Sequence, residues 1–469
     1  MKKGKRIIEY IIFALLTVLC IIGLDRILSW KDTSGTYQSV YKQLYETDEN
    51  LIDAVFTGSS HCYDGVYPSI LWEETGISGF DMAVSGQDLN SSYYALKELL
   101  KTQSPKVVYS DVFGMTIERH SDGTGNVFRN YLSMKLSSNY FDNINGYYDN
   151  KDDRLDYYLR FPIEHTRYKE LEKYDFINKD VNIYGRGEYP IWDTWNHYVN
   201  YSAFEDKEIV ELTEREVKWL EDMTKLSEDE GFELVLMVLP YSATVAEQRK
   251  FNAVKAYCEE NGIEYIDFNA LREEIGLNDE TDLIDDGHIN ALGAKKVTMY
   301  LAKDMERFNL TDHRGDDRYH LWDENLNYYY HMGSRYTLNK VGDPAMYAST
   351  LTTLNDTVTV ISLEHAFADN PEWYYSIVEP FGMSYEEFLQ GGKWIYQNKT
   401  LTKVADNDFG KEPFVLKLNR YDTLRVSYYG DLEPTNIMLN RLPFLQSEGN
   451  VTIFTYDLFL NDILDVKFY

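Results

Sequence analysis

The chain has 469 residues, with 46 Lys and Arg against 77 Asp and Glu, a formal net charge of −31 and 44% hydrophobic residues. That apolar content excludes a disordered chain and suits about two to three domains. The acidic excess excludes the basic footprint of a nucleic-acid binder. Three cysteines, Cys20, Cys62 and Cys258, are too few for a disulfide framework or a Cys-rich zinc module.

Lys2, Lys3, Lys5 and Arg6 precede an apolar run over 7–24 that only Glu9 interrupts, and Ile27, Leu28 and Trp30 can extend it. The run lies near the lower length limit of a membrane-spanning helix. No A-x-A pattern follows, so it reads as an uncleaved anchor rather than a signal peptide. The bulky Leu19 before Cys20 argues against a lipidation signal. The basic cluster predicts a cytoplasmic N-terminus, with residues 1–30 as tip and transmembrane anchor and the rest extracellular. So acidic a body is repelled by an anionic cell surface, and binding there has to come from a local site.

Residues 51–113 alternate strand and helix signals. Asp53–Thr57, Phe80–Val84 and Lys106–Ser110 are short apolar runs, the first two stopped by Gly58 and by Ser85-Gly86. Asn90–Leu100 has helical spacing between the second and third. The alternation resumes with a capping box at Thr213–Glu216, the apolar strand Glu233–Leu239, a second capping box at Thr244–Glu247, the helix end Asn261-Gly262, the strand Ile263–Phe268 and a closing helix over 291–307. Five short strands with interleaved helices predict a parallel sheet in a three-layer α/β domain over about 45–310.

The stretch 115–205 has no clear period and is too long for a simple loop, so it reads as an inserted subdomain or lid. Its cluster Asp149–Asp153 lacks the spacing and glycine of an EF-hand loop and reads as a solvated turn. His120, His165 and His197 show no metal-ligand spacing. Residues 309–320 look like a polar linker. Beyond them Thr357–Ser362, Phe414–Leu418, Leu424–Tyr428 and Val451–Tyr456 predict a mostly β domain over 330–469. Its aromatic clusters, Trp373–Tyr375, Trp394–Tyr396 and Tyr428-Tyr429, read as core and interface packing ahead of a glycan platform.

Ligands bind beyond the carboxyl ends of parallel strands. Three groups share that edge: Gly58-Ser59-Ser60-His61 after the first strand, Gly86 after the second, and Asp285-Asp286-Gly287-His288 before the last helix. A serine hydroxyl needs a base to take its proton. His288 titrates near neutrality, and Asp285, or its neighbour Asp286, can orient the imidazole. The backbone N–H groups of Ser60 and Gly86 suit an oxyanion hole. His61 is expected to pack beside the site, and Cys62 to be a small packing residue close enough to Ser60 for a thiol reagent to reach.

The order Gly-Ser-Ser-His, a glycine block and Asp-x-x-His-x-Asn resembles the SGNH/GDSL hydrolase superfamily, in particular its membrane-anchored branch of DltD-like and alginate O-acetyltransferase-like proteins. The resemblance covers 51–307 without the insertion and implies a flavodoxin-like core. It makes Ser60 the nucleophile, maps Asp285 and His288 onto the Asp-x-x-His motif, and implies no cofactor or metal. It further implies an O-acylated envelope glycan as substrate and a membrane-bound acyltransferase partner. One block departs from the pattern: where an oxyanion-hole Asn is expected after the third strand, the chain reads Ser110-Asp111-Val112-Phe113. Gln87 or Asn90 is then the substitute donor, or the hole is built of backbone alone, or catalysis is impaired. The expectation is an extracytoplasmic serine esterase or O-acyltransferase; the alternative is a non-catalytic surface binding or scaffold protein on a degenerate core.

Overall fold

The computed structural model describes residues 2–28, 39–117, 134–148, 150–158, 165–171, 176, 185–195, 197–363, 370–404, 414–419, 422–427, 436–440, 442–446 and 450–469. His120, Tyr428-Tyr429, Trp30 and part of the Asp149–Asp153 cluster lie outside them. The chain forms two compact units, 1–326 and 327–469.

The first unit opens with helix Lys2–Leu28, whose stretch Arg6–Leu24 is long and apolar enough to cross a membrane and is buried nowhere against the protein. Its core is a five-stranded parallel sheet of β1 (Ala54–Thr57), β2 (Gly79–Asp81), β3 (Val107–Asp111), β4 (Glu233–Val238) and β5 (Glu264–Asp267), in the order 2-1-3-4-5. All residues of β1 and β3 are buried, as expected for strands covered on both faces. Val55, Val108 and Leu236 pack with Leu96, Leu220 and Val254 of helices Leu89–Leu99, Glu214–Glu230 and Val245–Asn261. Tyr109, of opposite parity on β3, donates its hydroxyl to Asp304 Oδ2 (2.7 Å) on the last helix, Ala291–Asp304.

Two predicted elements differ in extent or kind. The second strand stops at Asp81 because Asp81 Oδ1 accepts the N–H of Ala83 (2.7 Å) and draws the backbone out of the ladder. The polar stretch 309–320 is no linker: His313 Nε2 meets Asp53 Oδ2 at 2.7 Å, and Tyr319 and Trp322 are buried beside Trp72. Helix His320–Lys340 follows.

Of the insertion, helices Ser138–Tyr147 and Lys151–Tyr158 are described, and the chain returns through 185–200. There the carbonyl of Arg186 accepts the N–H of Asp81 (2.9 Å) at the edge of β2. Arg186 and Glu188 are both buried. Burial lowers the guanidinium to about 10 and raises the carboxyl to about 8, with Ser69 and Asn325 hydrogen bonding to Glu188.

The second unit has two antiparallel sheets. One is β14-β13-β6-β7-β8, with β6 Thr357–Leu363, β7 Gly392–Gln397, β8 Thr400–Lys403, β13 Val451–Asp457 and β14 Asp462–Phe468. The other is β12-β11-β10-β9, with β9 Phe414–Lys417, β10 Thr423–Ser427, β11 Asn436–Leu439 and β12 Leu442–Gln446. Val358 and Val360 face Leu424, Val426 and Ile437 of the second sheet. Ile361 and Leu363, of the other parity, pack with helices Pro344–Thr353, Pro371–Val378 and Tyr385–Leu389. Trp394 and Tyr396 belong to that helix-covered core.

Candidate active site

β1 ends at Thr57, and the chain turns at Gly58 into helix Ser60–Gly65. Gly58 has φ 153°, and a Cβ there would stand 2.7 Å from the Cβ of Asp111. Glycine is therefore required for the strand end to pass so close to β3. Ser59 is buried and caps the helix, its Oγ accepting the N–H of His61 at 3.3 Å. Ser60 is the more open of the two serines.

Ser60 Oγ lies 2.8 Å from His288 Nε2, and His288 Nδ1 lies 2.9 Å from Asp285 Oδ1, across 228 positions of sequence. With Nδ1 donating to the carboxylate, Nε2 is left as the acceptor for the serine hydroxyl. The loop is held from within. Asp285 Oδ1 also accepts the N–H of Gly287 (2.8 Å), and Ile284 N–H donates to His288 O (2.8 Å). Asn290 caps the last helix, accepting from Leu292 and Gly293 while donating to Thr281 O and Thr194 Oγ1. Asp286, the neighbouring alternative, is committed elsewhere: its carboxylate accepts the N–H of Tyr198 and its carbonyl that of Ser242.

The strand-end loops carrying Ser60 and Gly86 are joined by a hydrogen bond from Val84 N–H to Gly58 O (3.2 Å). Ser60 is the first residue of its helix, so its N–H has no intrahelical acceptor. Gly86 has φ 67° in a turn closed by Gln87 N–H to Val84 O (3.0 Å), a position where a side chain is strained. The substitute donors are not placed as expected. Gln87 is buried; its Oε1 accepts from Gly58 N–H (3.1 Å) and Ser92 Oγ, and its Nε2 donates to Met82 O (3.2 Å). Asn90 Nδ2 donates to Asn143 Oδ1 (3.1 Å) and O (3.3 Å). Both amides brace the loops behind the site.

Asp111 is committed to the backbone as well. It caps the turn Val112–Met115, accepting from Phe113 N–H (3.2 Å), and is buried against Gly58. Burial raises its carboxyl to about 7, although the N–H groups of Phe113 and Leu239 pull it down. His61 is buried with its ring stacked on Phe113 (3.7 Å between centroids) and edge-on to Tyr241 (4.7 Å) and His288 (5.1 Å). Burial, and secondarily His288, hold it well below the usual imidazole range. Cys62 is fully buried, and burial followed by Asp81 pushes its thiol well up, so the expected access for a thiol reagent is absent. Asp64, one turn beyond Ser60, was not singled out. It is buried and raised by burial and then by Asp285 and Asp81; its i+4 spacing from Ser60 was the available signal. His197 Nδ1 contacts Trp195 O (2.8 Å).

No protein-family model and no curated protein matches the chain. Among solved structures it is similar to a putative acylhydrolase from Bacteroides fragilis, at 14% identity over 60% of this chain and 99% of that one, with a TM-score of 0.30.

Proposed function

We propose that the chain is an extracytoplasmic, membrane-anchored serine esterase or O-acyltransferase of the SGNH/GDSL type, with a three-layer flavodoxin-like core, acting on O-acylated cell-envelope polysaccharide. The observation that carries this reading is the unbroken relay Ser60–His288–Asp285, with contacts of 2.8 and 2.9 Å. Ser60 Oγ bonds to the ester carbonyl carbon as its proton passes to His288 Nε2, and Asp285 stabilises the imidazolium. The N–H groups of Ser60 and Gly86 receive the charge that builds on the carbonyl oxygen. Collapse breaks the bond to the leaving alcohol, which takes the proton back from His288. Water or a glycan hydroxyl then gives its proton to His288 as its oxygen bonds to the acyl carbon, and the bond to Ser60 Oγ breaks as the serine takes that proton from His288, yielding hydrolysis or transfer. The apolar N-terminal helix and the acidic body are consistent with a site tethered outside the membrane, where a membrane-bound acyltransferase is the partner this reading implies.

The test is a fluorophosphonate probe on the full-length protein. Labelling is expected for the native chain and absent in Ser60→Ala. A native chain that takes no label would instead favour the non-catalytic binding reading, which the engaged amides of Gln87 and Asn90 also suit.

A further inference from the structure

The segment 191–201 reads Ile-Trp-Asp-Thr-Trp-Asn-His-Tyr-Val-Asn-Tyr. Its backbone is pinned along the loop that carries Asp285 and His288. Ile191 O accepts from Ala291 N–H (2.7 Å), Trp195 N–H donates to Ile284 O (2.7 Å), Tyr198 N–H donates to the Asp286 carboxylate, and Asn200 N–H donates to Ser242 Oγ (2.9 Å). Ile284 N–H is itself bonded to His288 O, so the backbone of Trp195 lies two hydrogen-bonded spacings from the backbone of His288, about 10 Å on strand geometry. The side chains do the opposite of the backbone. Trp195 is 60% exposed and Tyr198 69% exposed, large aromatic surfaces left in solvent on an ordered scaffold. Exposed aromatics held on anchored loops beside a reactive group are the arrangement of a binding surface rather than of a core.

Charge narrows the ligand. Residues 191–201 and 282–288 carry Asp193, Asp285 and Asp286 and neither lysine nor arginine, while Asp282 is buried and paired with Lys296 (2.6 Å). A polyanionic polymer would meet like charge there, whereas an uncharged pyranose presents C–H faces to aromatic rings and hydroxyls to carboxylates and carbonyls. We infer that Trp195 and Tyr198 form a stacking platform for an uncharged glycan chain, placing its ester-bearing or hydroxyl-bearing sugar over Ser60. This rests on the acyl-transfer reading above and adds to it where the polymer lies and what charge it carries.

The test uses full-length Ser60→Ala protein, so that nothing turns over, and titrates it calorimetrically with cellopentaose, xylopentaose, chitopentaose and an anionic uronate pentamer. At least one neutral oligosaccharide is expected to bind, and Trp195→Ala or Tyr198→Ala should weaken it about tenfold, the scale of one aromatic contact. Trp195→Phe should retain most of the binding, and Trp373→Ala, an exposed tryptophan of the second unit, should leave it unchanged. In otherwise native protein the same alanine variants should raise KM for an acetylated oligosaccharide far more than for p-nitrophenyl acetate. No binding by any neutral member, binding unaffected by both alanine variants, or preference for the uronate would overturn the platform. Those outcomes with intact fluorophosphonate labelling at Ser60 leave the acyl-transfer reading standing; loss of labelling strikes that reading instead.

Discussion

Asp285 offers one oxygen both to His288 Nδ1 and to the N–H of Gly287, so it fixes the imidazole and the loop at once. Asp285→Asn keeps the shape but can present an N–H to the ring and favour the wrong tautomer. We expect kcat on p-nitrophenyl acetate to fall by about 10³- to 10⁴-fold with KM little changed; a loss under about tenfold would mean that the carboxylate does not orient the base. Asp111 makes a different prediction. Burial pushes its folded carboxyl up to about 7, so the native state holds a proton that the unfolded chain has released above about 4. Stability therefore declines as pH rises from about 4 to about 7 and is level beyond, as far as this group is concerned. Asp111→Asn should be neutral near pH 4, raise the melting temperature at pH 8 and make the intervening slope shallower. Melting curves that stay parallel to those of the native chain would contradict the assignment. Ser60, Asp285 and His288 were legible because their short motifs sit at a strand end and before a helix. Asp64 and Asp111 were not, since what sets their chemistry is burial, which depends on residues far away in the chain.

At the scale of elements, the end of β1 is a tight constraint next to the site. Gly58→Ala drives a methyl into the Cβ of Asp111, and something must move. We expect a loss of about 1–3 kcal/mol in urea denaturation, accompanied by slower fluorophosphonate labelling because the displaced turn carries Ser60. Unchanged stability and labelling would show that the strand end is looser than described. The five parallel strands were readable as short apolar runs, three of them closed by Gly58, Ser85-Gly86 and Pro240, and both capping boxes form as their sequences imply. The missed elements share a physical cause. β14 pairs on one side only and carries Asp462, Asp465 and Lys467 among its seven residues, while β7 has aromatic residues on one face and Ile395 on the other, so no polar alternation marks it. The helix Pro344–Thr353 is rich in Thr and Ser, weak helix formers whose pattern is set by packing of Tyr347, Ala348 and Leu351. In 309–320, polar composition concealed His313, whose value lies in one distant partner, Asp53.

For the molecule as a whole, the three cysteines report on fold and placement together. Cys20 lies within the apolar helix, and Cys62 and Cys258 are buried in the first unit. In native protein reconstituted in vesicles, a charged maleimide is expected to modify none of them, and after denaturation in detergent to modify all three. Modification of Cys20 before denaturation would argue against a helix in the bilayer, and of Cys62 against the packing under Ser60. A last consequence follows from the 228 positions between hydroxyl and imidazole. Ribosomes deliver Ser60 early and His288 only after most of the first unit has emerged, on the order of ten to fifty seconds later at ordinary elongation rates. On the proposed reading, the serine has no proton acceptor until then, and the incomplete chain is chemically silent toward esters.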